Sequence, residues 1–207
     1  MNRVYKLKVD NSQIVDDFPN IHKIKKDDYL DLSHLLSSEK YQLTEENIVL
    51  RANFDQIKNY DFVQNELNIP ILSKKFVNSL NLDNIEGLNL IPIILIDDKI
   101  SHNEIFKTIG KGIKKDVPKN IDFFTIKFNK QFDYCDIEKA SFRKLRSQSN
   151  SLGILKKPVL KETGNGFPKL FRIKESITML FITHIAKQAL EANGIKGCIF
   201  EEVEVTP

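Results

Sequence analysis

The stretch FITHIAKQALEANGIKGCIF, Phe181 to Phe200, constrains the fold more tightly than any other part of this 207-residue chain. Phe181 and Ile182 form an apolar strand end, and Thr183 is a good helix N-cap residue. Ile185, Ala186, Ala189 and Leu190 then make an i, i+4 apolar stripe, and Asn193-Gly194 supplies a left-handed helix stop. A strand beginning at Cys198 follows. The stretch therefore predicts strand, capped helix and strand, with nothing reactive in it.

The same order of signals occurs once before. Ile71 and Leu72 are apolar, Ser73 is an N-cap residue, and Phe76, Val77 and Leu80 sit at helical spacing before Asp83 and Asn84. Leu88 to Ile96 then reads as a strand. At a constant offset of 110 residues, Ser73 meets Thr183, Leu80 meets Leu190, Ile85 meets Ile195 and Gly87 meets Gly197, without a gap. Only three of the twenty-five positions from Ile71 to Leu95 are identical, so the correspondence rests on caps, stripe and glycine stops. Pro92 aligns with Glu202, and around Glu201 and Glu202 the in/out alternation slips as at a bulge or strand end.

The remaining pattern is rich in strands. Val4 to Val9 alternates with period 2, as do Ile121 to Phe128, and shorter strands are expected at Ser151 to Leu155, Pro158 to Leu160 and Lys169 to Ile173. Residues 10 to 47 are polar and broken, with a short helix near Asp31 to Leu36 among loops. Lys111 to Asn120 is charged, contains Gly112 and Pro118, and is the best linker candidate. The expected fold is α+β, with a mixed or antiparallel sheet, two related strand-helix-strand units and few helices. It forms a single domain over 1–207, with a candidate lobe boundary within 111–120.

At 41% hydrophobic the chain can bury a core, and no run approaches the about 18 apolar residues of a membrane span. The opening MNRVYKLKVD alternates where a signal peptide needs a continuous apolar core, which places the protein in the cytoplasm, away from membranes. Cys135 and Cys198 have no CxxC or Cys/His spacing and read as free thiols. A formal charge of +3, with acids and bases both abundant, is too balanced to mark a nucleic-acid footprint. The lysine pairs at 25–26, 74–75, 114–115 and 156–157 are scattered along the chain.

Candidate chemistry is sparse. Thr108 to Lys115 (TIGKGIKK) lacks the GxxxxGK[ST] spacing of a phosphate loop, and Gly164-Asn165-Gly166 reads as a turn. His22, His34, His102 and His184 are too far apart for helix-spaced metal ligation, and His184, off the apolar stripe, reads as a surface residue. Asp133, Asp136 and Glu138 beside Lys139 are the best enzyme candidate, as ligands for Mg²⁺ in a nuclease. Glu138 and Lys139 are adjacent, however, and point oppositely if extended. Asp136 accepting backbone N–H bonds in a turn or helix cap is the preferred reading. Glu201, Glu202 and Glu204 suit either a charged edge strand that discourages aggregation or a surface for a basic partner. No catalytic, cofactor-binding or metal residues are assigned, and neither cofactor nor small-molecule substrate is expected.

Four segments in order carry a resemblance: the strand VYKLKV, the capped helix ILSKKFVNSL, the segment FDYCDIEKASF, and the ending LFRI…FITHIAKQALEANGIKGCIF. Through them the chain resembles the immunity proteins of bacterial polymorphic-toxin and contact-dependent competition systems, in a family formerly described only as a domain of unknown function. Members look alike in an Asp, an acid-Lys-Ser-like step, a Phe-Arg pair, and a closing helix followed by Gly-x-x-Phe. Here these fall on Asp136, on Glu138-Lys139 with Ala140 before Ser141, on Phe171-Arg172, and on Gly197 with Phe200. The additional Ala140 loosens the second feature, and Cys198 stands where a larger aliphatic residue is expected. The resemblance implies a non-enzymatic inhibitor that binds the toxic domain of a cognate effector stoichiometrically in the cytoplasm. Its partner is then a protein rather than a nucleic acid, and 10–47 and 98–120 are the expected interface regions. The alternatives are a metal-dependent nuclease using Asp133, Asp136 and Glu138, and a nucleic-acid-binding module using the lysine pairs.

Overall fold

A computed structural model describes residues 3–10, 22–23, 48–63, 65, 69–105, 113–144, 152–162 and 164–207. The fold is α+β and sheet-dominated, with both mixed and antiparallel sheet and few helices. The chain divides into two compact units. A central unit holds residues 9–129 and 195–197; a terminal unit holds both chain ends, residues 1–8, 130–194 and 198–207. The linker candidate 111–120 lies inside the central unit and runs into one of its strands, while the change between units along the chain falls after Asn129.

Thirteen strands are described. In chain order, β1 is Val4–Val9, β2 His22–Lys23, β3 Ile48–Ala52, β4 Phe62–Val63, β5 Ile71–Ser73, β6 Leu88–Asp97 and β7 Lys119–Phe128. Then follow β8 Ser141–Arg143, β9 Ile154–Lys157, β10 Val159–Lys161, β11 Leu170–Ile173, β12 Ser176–Thr183 and β13 Cys198–Thr206. The α-helices are α1 Phe54–Ile57, α2 Lys74–Leu80, α3 His102–Ile105 and α4 His184–Ala192. The helix expected near Asp31 to Leu36 lies outside the described residues.

The central unit is a six-stranded sheet in the order β2-β3-β6-β7-β5-β4. Alternation in β3 sends Ile48, Leu50 and Ala52 to one side, where they meet Ile71, Ile93, Leu95 and Phe123 in a core completed by Ile57 of α1. In α2, Phe76, Val77 and Leu80 are buried, as their 3-4 spacing predicts. The terminal unit has a five-stranded sheet in the order β10-β13-β1-β12-β11 and a separate β8-β9 hairpin. Its core gathers Val4, Leu155, Leu160, Phe171, Ile173, Phe181 and Val203.

The offset of 110 residues proves to be structural. Ser73 accepts a hydrogen bond from the Phe76 N–H, and Thr183 accepts one from the Ala186 N–H. β5 and β12 end on those caps, Gly87 and Gly197 both have left-handed φ (78° and 89°), and β6 and β13 start one residue later. The correspondence also reaches the pairing. Val49 lies opposite Ile94 in the parallel β3-β6 pair, and Val159 opposite Glu204 in the parallel β10-β13 pair. Each unit places an antiparallel hairpin outside the first strand, β4 on β5 and β11 on β12.

The middle strand is what differs in connectivity. β7 follows its partners in the chain, whereas β1 precedes its own by more than a hundred residues. Their registers nonetheless match: Phe123 and Phe124 face Ser73 and Leu72, and Val4 and Tyr5 face Thr183 and Ile182. The two units are thus one topology, related by a circular permutation of the strand between the ends of the strand-helix-strand element.

Two sequence expectations change. Ile185 is 72% exposed, and the buried stripe of α4 is Ala186 and Leu190, because one residue is a 100° turn and carries Ile185 off the sheet-facing side. β13 is not an outermost strand of its sheet, although β10 pairs with it only at Glu204 to Thr206. The alternation does slip at Glu201 and Glu202, which are both exposed, but the strand continues to Thr206.

Candidate functional site

The segment FDYCD, Phe132 to Asp136, occupies a position that its composition does not reveal. Phe132 bridges to Ile173 on β11 in parallel, and Cys135 bridges to Leu160 on β10 in antiparallel fashion. The Phe132 N–H donates to the Arg172 carbonyl at 3.0 Å, and the Lys174 N–H donates to the Phe132 carbonyl at 3.1 Å. On the other side the Lys161 N–H donates to the Tyr134 carbonyl at 2.7 Å, and the Asp136 N–H donates to the Val159 carbonyl at 2.8 Å. One short segment therefore satisfies both outer strands of the five-stranded sheet and closes it edge to edge, which removes two unpaired edges.

Aromatic packing fixes that segment. Phe132 stacks on Tyr134 with centroids 4.8 Å apart, Tyr134 meets Phe171 edge-on at 5.6 Å, and Phe171 stacks on Phe181 at 5.5 Å. Cys135 is buried, and burial, with the Glu175 and Asp136 charges, pushes its thiol up to about 11, so it is held as an unreactive thiol. Arg172, of the Phe-Arg pair, is 4% exposed, and burial brings its guanidinium down to about 10, still protonated at neutral pH.

The three acids proposed for metal binding do not share a task. Asp136 is buried; its Oδ2 accepts from the Thr206 hydroxyl at 2.9 Å and its Oδ1 from the Lys139 N–H at 3.3 Å. This is the backbone-accepting turn role expected for it. Burial opposes its ionisation, but the Thr206 and Lys139 hydrogen bonds outweigh that and hold its carboxyl below the usual aspartate range. Asp133 is exposed and paired with Lys174 at 3.7 Å, and Glu138 is exposed on the turn before β8. Among the described residues no group of His, Cys, Asp and Glu is arranged to hold a metal ion.

The other candidates disperse too. Glu201, Glu202 and Glu204 pair with Lys8, Arg3 and Lys157 at 3.1, 3.9 and 3.8 Å. His184 is half-buried rather than fully on the surface, its Nδ1 lying 3.4 Å from the Tyr5 hydroxyl. Lys187 sits over the Tyr5 and Phe200 rings, at 4.7 and 5.7 Å from their centroids. Gly164-Asn165 is a turn, whereas residues 108–112 of the TIGKGIKK loop lie outside the described residues. So do His34 and most of 10–47. Within the central unit, Gly197 is held against β4, where a Cβ would collide with the Phe62 carbonyl oxygen. Asp61 locks the same place: its Oδ1 accepts from the Ser73 hydroxyl at 2.6 Å and its Oδ2 from the Lys196 N–H at 3.0 Å.

What the sequence reading did not find is the β8-β9 hairpin as a surface feature. Phe142 faces Leu155 across the hairpin, and this pair turns inward to the aromatic core. The next pair, Arg143 and Ile154, consequently turns outward; Arg143 is exposed and Ile154 is 42% exposed. Leu152 is 49% exposed beside it, and Lys144 and Lys156 are exposed as well. A register shift between Ser141 and Phe142 sets Lys156 as the additional residue of β9. That Arg143 and Ile154 lie opposite one another follows from the pairing register, which no short stretch of sequence shows.

No helix among the described residues is long and apolar enough to cross a membrane. Neither the known protein-family models nor the curated proteins contain a match to this chain.

Proposed function

We propose that this chain is a cytoplasmic, non-enzymatic immunity protein that binds and neutralises the toxic domain of a cognate bacterial effector by direct stoichiometric association. The observation that carries the proposal is the architectural use of the segment FDYCDIEKASF, on which the resemblance largely rests. Its backbone closes the sheet, and its one buried carboxylate is engaged by Thr206 and the Lys139 N–H. Residues of that kind build a scaffold and leave recognition to what the scaffold displays. The same observation weighs against the nuclease alternative, since Asp136 turns inward while Asp133 pairs with Lys174.

Co-expression with the C-terminal domain of the neighbouring toxin gene tests the proposal. Restored growth and a stoichiometric complex on size-exclusion chromatography are the expected results. A chain that neither binds that domain nor protects growth sinks the proposal, and Mg²⁺-dependent cleavage by the purified chain, abolished by Asp136→Ala and Glu138→Ala, replaces it with the nuclease.

A further inference from the structure

The two copies of the topology differ at a position where the topology itself fixes only the backbone. Asp61 stands directly before β4 and Lys169 directly before β11, so the two are equivalent. Their carbonyls do the same work: the Ser73 N–H donates to Asp61 at 2.8 Å, and the Thr183 N–H to Lys169 at 3.2 Å. The stop glycines are equivalent as well. The Gly87 carbonyl accepts from the Asn129 N–H at 2.9 Å and the Gly197 carbonyl from the Asp10 N–H at 3.0 Å, donors that directly follow β7 and β1. Only the side chains depart from this parallel. A lysine ammonium has no acceptor, whereas a carboxylate accepts at both oxygens. Asp61 Oδ1 takes the Ser73 hydroxyl at 2.6 Å, and Oδ2 takes the Lys196 N–H at 3.0 Å. The Asp61 and Phe62 N–H groups donate in return to the Lys196 carbonyl, at 2.9 and 3.1 Å. Within the central unit, residues 195–197 are thus a strap laid against β4 and joined through Asp61 to the N-cap of α2. The fold is built without that carboxylate in its other copy, so its contacts are an addition to the scaffold.

We propose that Asp61 couples the strap to the helix cap as one conformational device: seating residues 195–197 on β4 caps α2, and releasing them uncaps it. The coupling runs through hydrogen bonds in series. The Lys196 N–H fixes the carboxylate, the carboxylate fixes the Ser73 O–H, and the Ser73 oxygen is thereby turned to the Phe76 N–H, 3.1 Å away. Bonds in such a chain orient and polarise one another. Ser73 is buried and the Asp61 side chain is 13% exposed, so the bonds to the carboxylate keep their charge-assisted strength. Lys75 lies 3.7 Å from the same Oδ2, but it is exposed, and an exposed ion pair is a weak substitute for the strap's N–H. Gly197 permits the seating: at φ 89° it lies where a Cβ would collide with the Phe62 carbonyl oxygen. A side chain at 197 therefore lifts the strap while altering no residue of α2. Coupling is reciprocal, so damage to the cap must also loosen the strap.

Amide hydrogen exchange of the whole chain, followed residue by residue by NMR, tests the coupling, with the Ile57 N–H of α1 as a control in the same unit. Gly197→Ala, confined to the strap, is expected to speed exchange of the Phe76 N–H by about tenfold. Ser73→Ala, confined to the cap, is expected to speed exchange of the Lys196 and Phe62 N–H groups by about as much, and Ile57 should change by less than about twofold in both variants. Thr183→Ala removes a cap whose equivalent residue is Lys169 and should leave the Lys196 and Phe62 amides unchanged. In an Asp61→Ala background the Phe76 amide is already fast, and adding Gly197→Ala should accelerate it no further. A Gly197→Ala chain in which the Phe62 amide is freed and the Phe76 amide keeps its protection overturns the proposal. So does additivity of Asp61→Ala and Gly197→Ala, which routes the coupling elsewhere, and so does equal acceleration at Ile57, which marks a general loosening. If Gly197→Ala does not fold, Ser73→Ala decides: unchanged Lys196 and Phe62 amides overturn the device.

Discussion

Asp136 shows how one residue can look catalytic in sequence and be structural in place. It is flanked by acids and a lysine, yet its two oxygens accept from Thr206 and from the Lys139 N–H. The Thr206 oxygen also lies 3.2 Å from the Leu160 carbonyl, so the last strand is latched at its end. Thr206→Val removes that hydroxyl and leaves buried acceptors unsatisfied; an unfolding penalty of about 1–3 kcal/mol is expected in urea melts at neutral pH. The pH dependence has a definite sign. The folded carboxyl titrates below its unfolded value, so folding favours its ionised form; that stabilisation is present above about pH 4 and is lost as pH falls through the folded pKa. The gap between wild type and Thr206→Val should therefore narrow on acidification, and a gap that is constant from pH 7 to pH 3 contradicts the role given to Asp136.

At the scale of elements, the two capped helices were legible because capping is a local event. An oxygen three residues before a donor, followed by a spaced apolar pair, is visible without any tertiary contact. The two caps differ in what surrounds them. Ser73 is buried, and its hydroxyl accepts from the Phe76 N–H at 3.1 Å and donates to Asp61, whereas among the described residues the Thr183 hydroxyl makes the longer cap bond to the Ala186 N–H, at 3.4 Å. Ser73→Ala is expected to destabilise by about 2 kcal/mol and Thr183→Ala by about 1 kcal/mol or less, because only the former also strips a partner from a carboxylate. Hydrogen exchange at the α2 and α4 amides separates the two losses; equal effects would argue that Asp61 adds nothing at the cap. The boundary of the α4 stripe was not legible in the same way. Ile185 and Ala186 are neighbours in sequence, and the sheet beneath decides which of them is covered.

For the whole molecule, the notable property is that a single topology is assembled twice with different connectivity. β1 lies between β13 and β12, and without it the terminal sheet has no continuous centre. Deleting residues 1–9 is expected to abolish amide protection across β12 and β13 while β3, β6 and β7 of the central unit retain theirs, as read by hydrogen exchange with mass spectrometry. Uniform loss across both units, or no loss in β12, contradicts this division. The charge imbalance belongs to the same scale: a total of +3 conceals a basic unit and an acidic one. Composition taken over the whole chain averages that division away.

Local signals along the chain were enough to establish the α+β class, the caps, the glycine stops and the constant spacing of the two strand-helix-strand elements. Each follows from backbone sterics and from hydrogen bonds spanning a few residues. Which strands are neighbours was decided at long range: β1 enters a sheet whose other strands come more than a hundred residues later in the chain, and FDYCD closes that sheet by pairing with two strands that follow it. Pairing partners compete through many weak contacts distributed over the chain, and no short window contains them. The pairing of Arg143 with Ile154 is of this second kind, since the two become neighbours only when register sets them opposite one another.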